Sequence, residues 1–263
     1  PTWPSWGPDP RRWPALRSEM SALRSYRLLV IWQARRMKMF LPLGIVVQAL
    51  FAFGIVAGYP LLFPSMDHQT VLYLAIGGPA VALITVGLVA VPQLVTQAKT
   101  EGTLDFMRTL PVPRIIYLLA DTTIWLAVVV PGVAVAVIVS SIRFGLDLDV
   151  SPLVVPAVLL VTFTATSVGY AIASLLPPMV AQMLSQVLVV FILMFSPLNF
   201  PAERLPDWLA AVHRVLPIQA MGEVMRGTLA SNAFPLMVGP FLLLGAWCAI
   251  TFAATTLVMT RRG

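Results

Sequence analysis

KTEGTLDFMRTLPVPR, residues 99–114, is a short charged island between two long apolar runs. If the stretch is helical, Glu101, Asp105 and Arg108 share one face at positions i, i+4 and i+7, and apolar side chains share another. Two prolines then end the helix, because proline lacks the backbone N–H and clashes inside a helix. The pattern therefore predicts a compact amphipathic helix over about residues 99–110, between two membrane spans. An ordinary solvated loop is the alternative.

The composition predicts a polytopic membrane protein. The chain has 263 residues, of which 59% are hydrophobic and only 11% charged, whereas soluble domains carry about a quarter charged residues. In a membrane protein, the positive residues behind the net charge of +6 primarily indicate which loops are cytoplasmic. The basic stretches lack the aromatic pattern of RNA-binding proteins, so no nucleic-acid partner is expected.

The N-terminal part of the chain divides into two segments. Residues 1–15 are rich in proline and tryptophan without periodicity, which predicts a flexible cytoplasmic tail. Residues 16–38 form a basic amphipathic pattern with Leu23, Val30 and Ile31 on one face. Such a helix can lie in the headgroup layer, with its arginines near anionic lipid. The alternative is a soluble helix packed on a partner.

Residues 39–263 are expected to form an all-α transmembrane domain of six helices. A span needs about 20 mainly apolar residues to cross the hydrocarbon layer. Six stretches qualify, at residues 40–59, 71–91, 115–140, 152–176, 179–198 and 235–260.

The placement of positive charge predicts the orientation. An even number of spans puts both termini on one side, and thirteen of the 17 lysines and arginines lie on that side. The four on the other side are Arg143, Arg204, Arg214 and Arg226. Because lysine and arginine accumulate in cytoplasmic loops, both termini and the island are expected to be cytoplasmic, in a multi-pass protein of the inner (plasma) membrane.

Two groups of polar side chains lie within the expected spans. Thr162, Thr166 and Tyr170 belong to the fourth span, and Gln182 and Gln186 lie at i, i+4 in the fifth. These side chains are candidates for a polar substrate path. They can equally hydrogen-bond neighbouring helices, and the sequence leaves both readings open.

Asp121 is the only carboxylate within an expected span, and an intramembrane acid is a functional candidate by default. It lies seven residues after Arg114, about 10 Å along a helix, which is close enough to the cytoplasmic interface for pairing with a basic group. The spans contain no second acid that could complete a proton relay.

The segment 199–234, before the last expected span, combines prolines with apolar periodicity. This pattern predicts two short outer helices that dip back toward the bilayer. Glu223 and Arg226 can pair at i, i+3. The candidate residues of an outer gate are Pro201, Trp208, Pro217, Glu223 and Arg226.

Several kinds of chemistry have no motif in this sequence. Neither lysine follows a glycine-rich loop, so the chain has no P-loop for ATP hydrolysis. The single cysteine excludes a cysteine-based zinc site, and the two histidines form no metalloprotease motif. We therefore expect a protein that is not an enzyme, with no catalytic residue, metal or cofactor of its own.

Two stretches together carry a family pattern. The island contains Glu101-Gly102-Thr103-Leu104 followed by Leu110-Pro111-Val112-Pro113-Arg114. The outer segment contains Ser196-Pro197, Phe200-Pro201, Leu205-Pro206, Trp208, Leu216-Pro217 and Arg226-Gly227. With the six-span layout, these stretches resemble the type-2 ABC transporter permeases, the transmembrane subunits of bacterial ABC exporters. Leu110 departs from the small residue often found before the proline, and Asp121 lies near a position where a basic residue is common.

The resemblance implies a role for each part of the chain. The island would be a coupling helix that docks on a separate ATPase subunit, and ATP and Mg²⁺ would be bound by that subunit. Two ATPase copies and a second permease, identical or paralogous, would complete the transporter in the lipid membrane. The docking residues implied are Glu101, Gly102, Leu104, Asp105, Phe106 and Arg108.

The sequence supports two functional hypotheses. The first is an ATP-driven exporter that moves a hydrophobic or amphipathic substrate, such as a drug, antibiotic or lipid-like molecule, by alternating access. The second is a secondary transporter or channel that works without ATP and needs no docking helix. The scaffold does not specify the cargo.

Overall fold

The computed structural model describes residues 22–62, 68–103 and 112–261, and within these ranges the regular structure is entirely helical. The helices are α1 (Ala22–Arg36), α2 (Phe40–Leu62), α3 (His68–Thr85), a π-helical turn (Val86–Ala90), α4 (Val91–Thr100), α5 (Arg114–Phe144), α6 (Val154–Leu175), α7 (Pro178–Phe195), a 3₁₀ turn (Ala202–Arg204), α8 (Asp207–Val215), α9 (Pro217–Leu229) and α10 (Val238–Arg261).

Five of the described helical runs are long and apolar enough to cross a membrane. They are Thr70–Thr100, Ile115–Phe144, Val154–Leu175, Pro178–Phe195 and Val238–Thr255. The first expected span, residues 40–59, falls within α2, and its apolar stretch Leu41–Phe51 is shorter than these runs. The all-α, multi-pass character is thus confirmed, while the number of six spans stays a prediction.

The run Thr70–Thr100 is the central helix of the fold, with 89% of its most apolar window buried. It exceeds the expected second span, 71–91, because α3, the π-helical turn and α4 follow one another without a break. The π-helical turn ends two residues before Pro92, whose ring removes one backbone donor from the helix.

Two glycines let the central run approach α6 closely. A Cβ atom on Gly87 would overlap Ala165, and one on Gly169 would overlap the carbonyl oxygen of Gly87. Small residues at such crossings allow backbones to meet in a membrane protein, where the hydrophobic effect gives no preference for protein over lipid. The crossing of α6 with the central run therefore depends on these two positions.

The other helices surround this centre. Helix α5 packs against α1, α2 and α3, and α6 packs against α10. Helix α7 contacts α4 and the π-helical turn on one side. Its other side faces outward, since only 17% of the α7 window is buried.

The fourth and fifth expected spans meet at a tight turn. Leu176 and Pro177 are extended, and Pro178 occupies the first turn of α7. The residue before a proline disfavours the helical conformation, and proline is well accommodated at a helix start. The paired prolines thus end α6 and begin α7.

The island differs from the helix expected over 99–110. Residues 99 and 100 are the last of α4, Glu101 caps it, and Gly102 has a φ of +72°. A glycine in this left-handed conformation ends a helix. The expected start at residue 99 is therefore wrong, because Glu101 lies before a break and not on the face of one continuous helix with Asp105. Leu104, Asp105, Phe106 and Arg108 lie outside the described residues.

Candidate functional site

The site lies where the central run ends beside α1 and α5. Leu29 of α1 packs with Ile116 and Ala120 of α5. The hydroxyls of Tyr26 and Thr123 are 2.7 Å apart and form a hydrogen bond between the same helices. These contacts fix α1 on α5 and bring its C-terminal end toward the end of α4.

The inward face of α1 is the stripe Ser25, Leu29 and Gln33. Leu23 and Ile31, which the sequence places on the apolar face, are instead 76% and 38% exposed. Outward apolar side chains suit a helix in the headgroup layer, since they would face lipid. The position of α1 in that layer stays a prediction.

An ion pair joins the ends of α1 and α4. Arg36 Nη2 lies 3.8 Å from Glu101 Oε2, and Gln97 donates a 2.7 Å hydrogen bond to Glu101 Oε1. The Lys99 ammonium donates to the carbonyl of Ala173 near the end of α6. Glu101, the first of the predicted docking residues, is thus tied to two helices at the boundary of the island. Gly102, the second, supplies the left-handed turn that follows it.

Asp121 is held by two aromatic side chains. Trp125 Nε1 donates to its Oδ2 at 3.0 Å, and the Tyr170 hydroxyl donates to the same oxygen at 2.5 Å. Within the described part of the chain its hydrogen bonds come from these two donors, and the expected ion pair with a basic group is not formed, although the charge of Arg36 acts on it. The network also connects α5 to α6.

The five candidates for a substrate path do not lie together. Thr162, Thr166 and Tyr170 are buried in α6, whereas Gln182 and Gln186 are exposed on α7. Neither threonine hydroxyl has a hydrogen-bond partner among the described residues. Within the described residues these five side chains form no continuous lining, because α6 turns its polar face inward and α7 turns its own outward.

The outer segment contains two short helices, α8 and α9, which meet at Pro217, the first residue of α9. Trp208 on α8 is 68% exposed, and Pro201 precedes the 3₁₀ turn. Helix α9 is almost wholly buried and packs against α3, α6 and α10.

Arg226 is buried in the last turn of α9, and the expected ion pair with Glu223 is not formed. Its Nη1 donates to the carbonyl oxygens of Pro197 and Leu198 at 3.3 and 3.2 Å, and its guanidinium lies 4.8 Å from the Tyr73 ring centre. Glu223 accepts a 2.8 Å hydrogen bond from Gln219. The local i, i+3 spacing is overridden because α9 is buried against the turn that follows α7.

Sequence reasoning missed Gln33, Arg36, Tyr117 and Trp125. These residues line a cavity that also contains Asp121. The i, i+4, i+8 spacing of Ser25, Leu29 and Gln33 is the signal that could have shown the inward face of α1. Nothing local in the sequence identifies the cavity, because its walls come from separate helices.

The family model described as ABC-2 type transporter matches residues 21–230, from the start of α1 to the end of α9. A search of curated proteins found no match. Members of this family generally pair with an ATP-binding subunit. The chain therefore belongs to the ABC-2 type transporter family, as a multi-pass membrane subunit of an ABC transporter and not an ATPase itself.

Proposed function

We propose that the chain is the permease of an ATP-driven exporter, with six spans, cytoplasmic termini and a separate ATPase subunit that docks on the island. The substrate is a hydrophobic or amphipathic molecule that leaves the cell by alternating access. ATP and Mg²⁺ act on the partner subunit, present in two copies. The stretch that follows Gly102 supplies the docking contacts, among them Leu104, Asp105, Phe106 and Arg108.

The observation that carries this proposal is the end of the central helix at the island. The run Thr70–Thr100 is the most buried of the candidate spans and stops one residue before Glu101. Glu101 is bound to α1 through Arg36, and Lys99 is bound to α6 through Ala173. A displacement of the island would thus reach three helices, because protein interiors are close-packed and transmit strain.

Copurification and coupling test the proposal. Native pulldown of the chain should recover a nucleotide-binding subunit. The double variant Glu101→Arg with Asp105→Arg should lose the stimulation of that subunit's ATPase while the permease remains folded. The matched control reverses two exposed carboxylates elsewhere, Asp147→Arg with Glu203→Arg, and should keep normal stimulation.

The outcome separates the exporter from its alternative. A secondary transporter or channel without ATP predicts no nucleotide-binding partner and equal behaviour of the two double variants. Recovery of the ATPase with unchanged stimulation in the Glu101 and Asp105 variant would instead remove the docking role of these two residues.

The outward face of α7 supports a second permease in the complex. Gln182 and Gln186 are exposed on a helix that is apolar enough to span a membrane. Polar side chains facing lipid are costly, so they are expected to face a partner helix or a water-filled path. We infer that α7 faces the second permease, identical or paralogous, where both glutamines reach the substrate path.

Cysteine cross-linking tests this arrangement in native membranes. In a Cys248→Ala background, Gln186→Cys should form a covalent dimer under mild oxidation if the partner is identical. Ile250→Cys, exposed on α10, is the control and should remain monomeric. Dimers of the α10 variant alone would place the contact on the other outward helix.

A further inference from the structure

A cavity of about 570 Å³ lies within the single chain, between α1, α2, α4, α5 and the end of α6. Its size falls in the range of small-molecule sites, about 300–1,000 Å³. Leu43 and Val47 of α2 and Leu94 of α4 contribute apolar walls. The cavity is thus large enough for a drug-sized molecule or part of a lipid.

Aromatic side chains surround the one acid of this cavity that lies within a span. Trp32, Tyr117, Trp125 and Tyr170 all line it, together with Asp121. Both donors to Asp121 use its Oδ2 atom, so Oδ1 keeps its accepting capacity. Aromatic faces and a carboxylate both attract a positive charge, and aromatic cages are a known way to recognise onium groups.

Gln33 is a second, independent sign of a missing occupant. Its side chain lines the cavity and is only 4% exposed. Neither Oε1 nor Nε2 has a hydrogen-bond partner among the described residues. Burying an amide without partners costs about 1–3 kcal/mol, so a polar or charged group is expected beside it.

The charges of the lining favour a cation. Arg36 and Glu101 both line the cavity and neutralise each other as a pair at 3.8 Å. Arg36 also lies 5.6 Å from the Trp32 ring centre. Asp121 forms no ion pair within the described residues, although the charge of Arg36 also acts on it.

We propose that this cavity binds an organic cation with an apolar body, whose positive group lies between Asp121 and the surrounding aromatic rings. The lining of the site comes entirely from one protomer. Its occupancy does not depend on ATP-driven export. The cation is either a choline lipid headgroup or a free amphipathic molecule, since both present the same chemistry.

A pair of probes of equal shape tests the sign of the charge. Tetraphenylphosphonium and tetraphenylborate have similar apolar surfaces and opposite charges. With the full chain in lipid nanodiscs and no nucleotide, the phosphonium should bind saturably, change tryptophan fluorescence and raise the unfolding temperature. The borate should do none of these. Equal binding of the two ions, or a preference for the borate, would overturn the proposal.

Variants assign the binding to the cavity. Asp121→Asn keeps the hydrogen-bond acceptor but removes the charge, and should weaken phosphonium binding at least tenfold. Asp147→Asn makes the same chemical change at an exposed position outside the cavity and should leave the affinity unchanged. If Asp121→Asn unfolds the chain, Trp32→Leu at the partly exposed edge of α1 should weaken binding several-fold. Unchanged affinity in the folded variants would refute the assignment.

The lipid composition identifies the source of the cation. The affinity for tetraphenylphosphonium is measured for the parent chain and for Asp121→Asn, in phosphatidylglycerol nanodiscs with and without phosphatidylcholine. The quantity compared is the difference in affinity between the two proteins. Comparing both proteins in the same lipid cancels the surface potential. If choline lipid competes with the phosphonium, the site takes a headgroup. If it does not compete while the difference persists, the site takes a free amphipathic cation.

Discussion

The central run Thr70–Thr100 and helix α7 have similar mean hydropathy but opposite environments. The most apolar window of the former is 89% buried inside the protein, and that of the latter only 17%. Hydropathy measures transfer out of water, and lipid tails are about as apolar as a protein interior. The comparison shows that two equally apolar spans of one chain can serve as its core and as its outer surface.

The largest expected difference between these environments is the cost of a cavity. Leu83→Ala removes a side chain that is 1% exposed in α3, and should lower the free energy of unfolding by about 2–5 kcal/mol. Leu242→Ala makes the same deletion at 69% exposure on α10, and should change it by less than about 0.5 kcal/mol. Thermal unfolding in nanodiscs measures both. Equal losses would mean that the outward face is covered by another part of the chain.

A smaller effect is expected from one added methyl group at the helix crossing. Gly169→Ala would place Cβ against the backbone of Gly87, and should destabilise the fold by about 1–3 kcal/mol through overpacking. Gly245→Ala has open space on α10, so only the higher helix propensity of alanine acts there. The unfolding temperature should therefore fall for Gly169→Ala and rise slightly for Gly245→Ala. A neutral Gly169→Ala variant would show that α6 can move away from the central run.

The third prediction concerns pH at the junction of α7 and α8. His213 is fully buried and stacks on Phe191 at 5.5 Å, and burial lowers its pKa below the usual 6.5. The folded state therefore favours neutral His213, and this preference stabilises the fold. The stabilisation is complete above pH 6.5 and is lost as the pH falls through the lowered pKa. Each unit of pKa shift corresponds to about 1.4 kcal/mol.

The measurement is the unfolding temperature between pH 7.5 and 5. The parent chain should lose stability on acidification more steeply than His213→Phe, in which the titrating group is absent. His68 is present in both proteins and cancels in the comparison. Identical pH profiles would show that His213 can protonate without leaving its buried position.

The smallest effect is expected at the partly exposed ion pair. Arg36→Gln removes the partner of Glu101, and both side chains are more than 40% exposed. Pairs of this kind contribute about 0.2–1 kcal/mol and weaken with added salt. Stability should therefore change little, and the change should vanish near 1 M salt. A salt-independent loss of several kcal/mol would contradict the pair's exposed character.

The sequence was sufficient for the elements that depend on local chemistry. Apolar length predicted the all-α, multi-pass character, the paired prolines at 177 and 178 identified the turn between α6 and α7, and Pro217 identified the division between α8 and α9. The proline signals act within about one turn of helix, and apolar length acts within one helix. The expected helix over 99–110 was wrong at its start because glycine can either continue a helix or end it, and only the backbone conformation of Gly102 decides.

The candidate site was less accessible from sequence. Asp121 was recognised as unusual, but its partners Trp125 and Tyr170 and the neighbouring Gln33 were not assembled into one site. Arg226 was paired with the nearest acid, although its contacts are with the carbonyls of residues 197 and 198. Helical periodicity predicts only which residues three or four positions apart are neighbours, so it does not predict contacts between residues far apart in the chain.

The sequence by itself determined that this is an all-α membrane protein with the island and outer segment typical of an ABC-2 type transporter. Length and hydropathy are sufficient for the all-α membrane character, because a lipid layer accepts few other backbones, and the motifs of the two segments carry the family resemblance. Only the tertiary structure decided which spans form the core, which faces point outward and where the cavity lies. These depend on close approach at Gly87 and Gly169, and lipid and protein interior are alike in hydropathy.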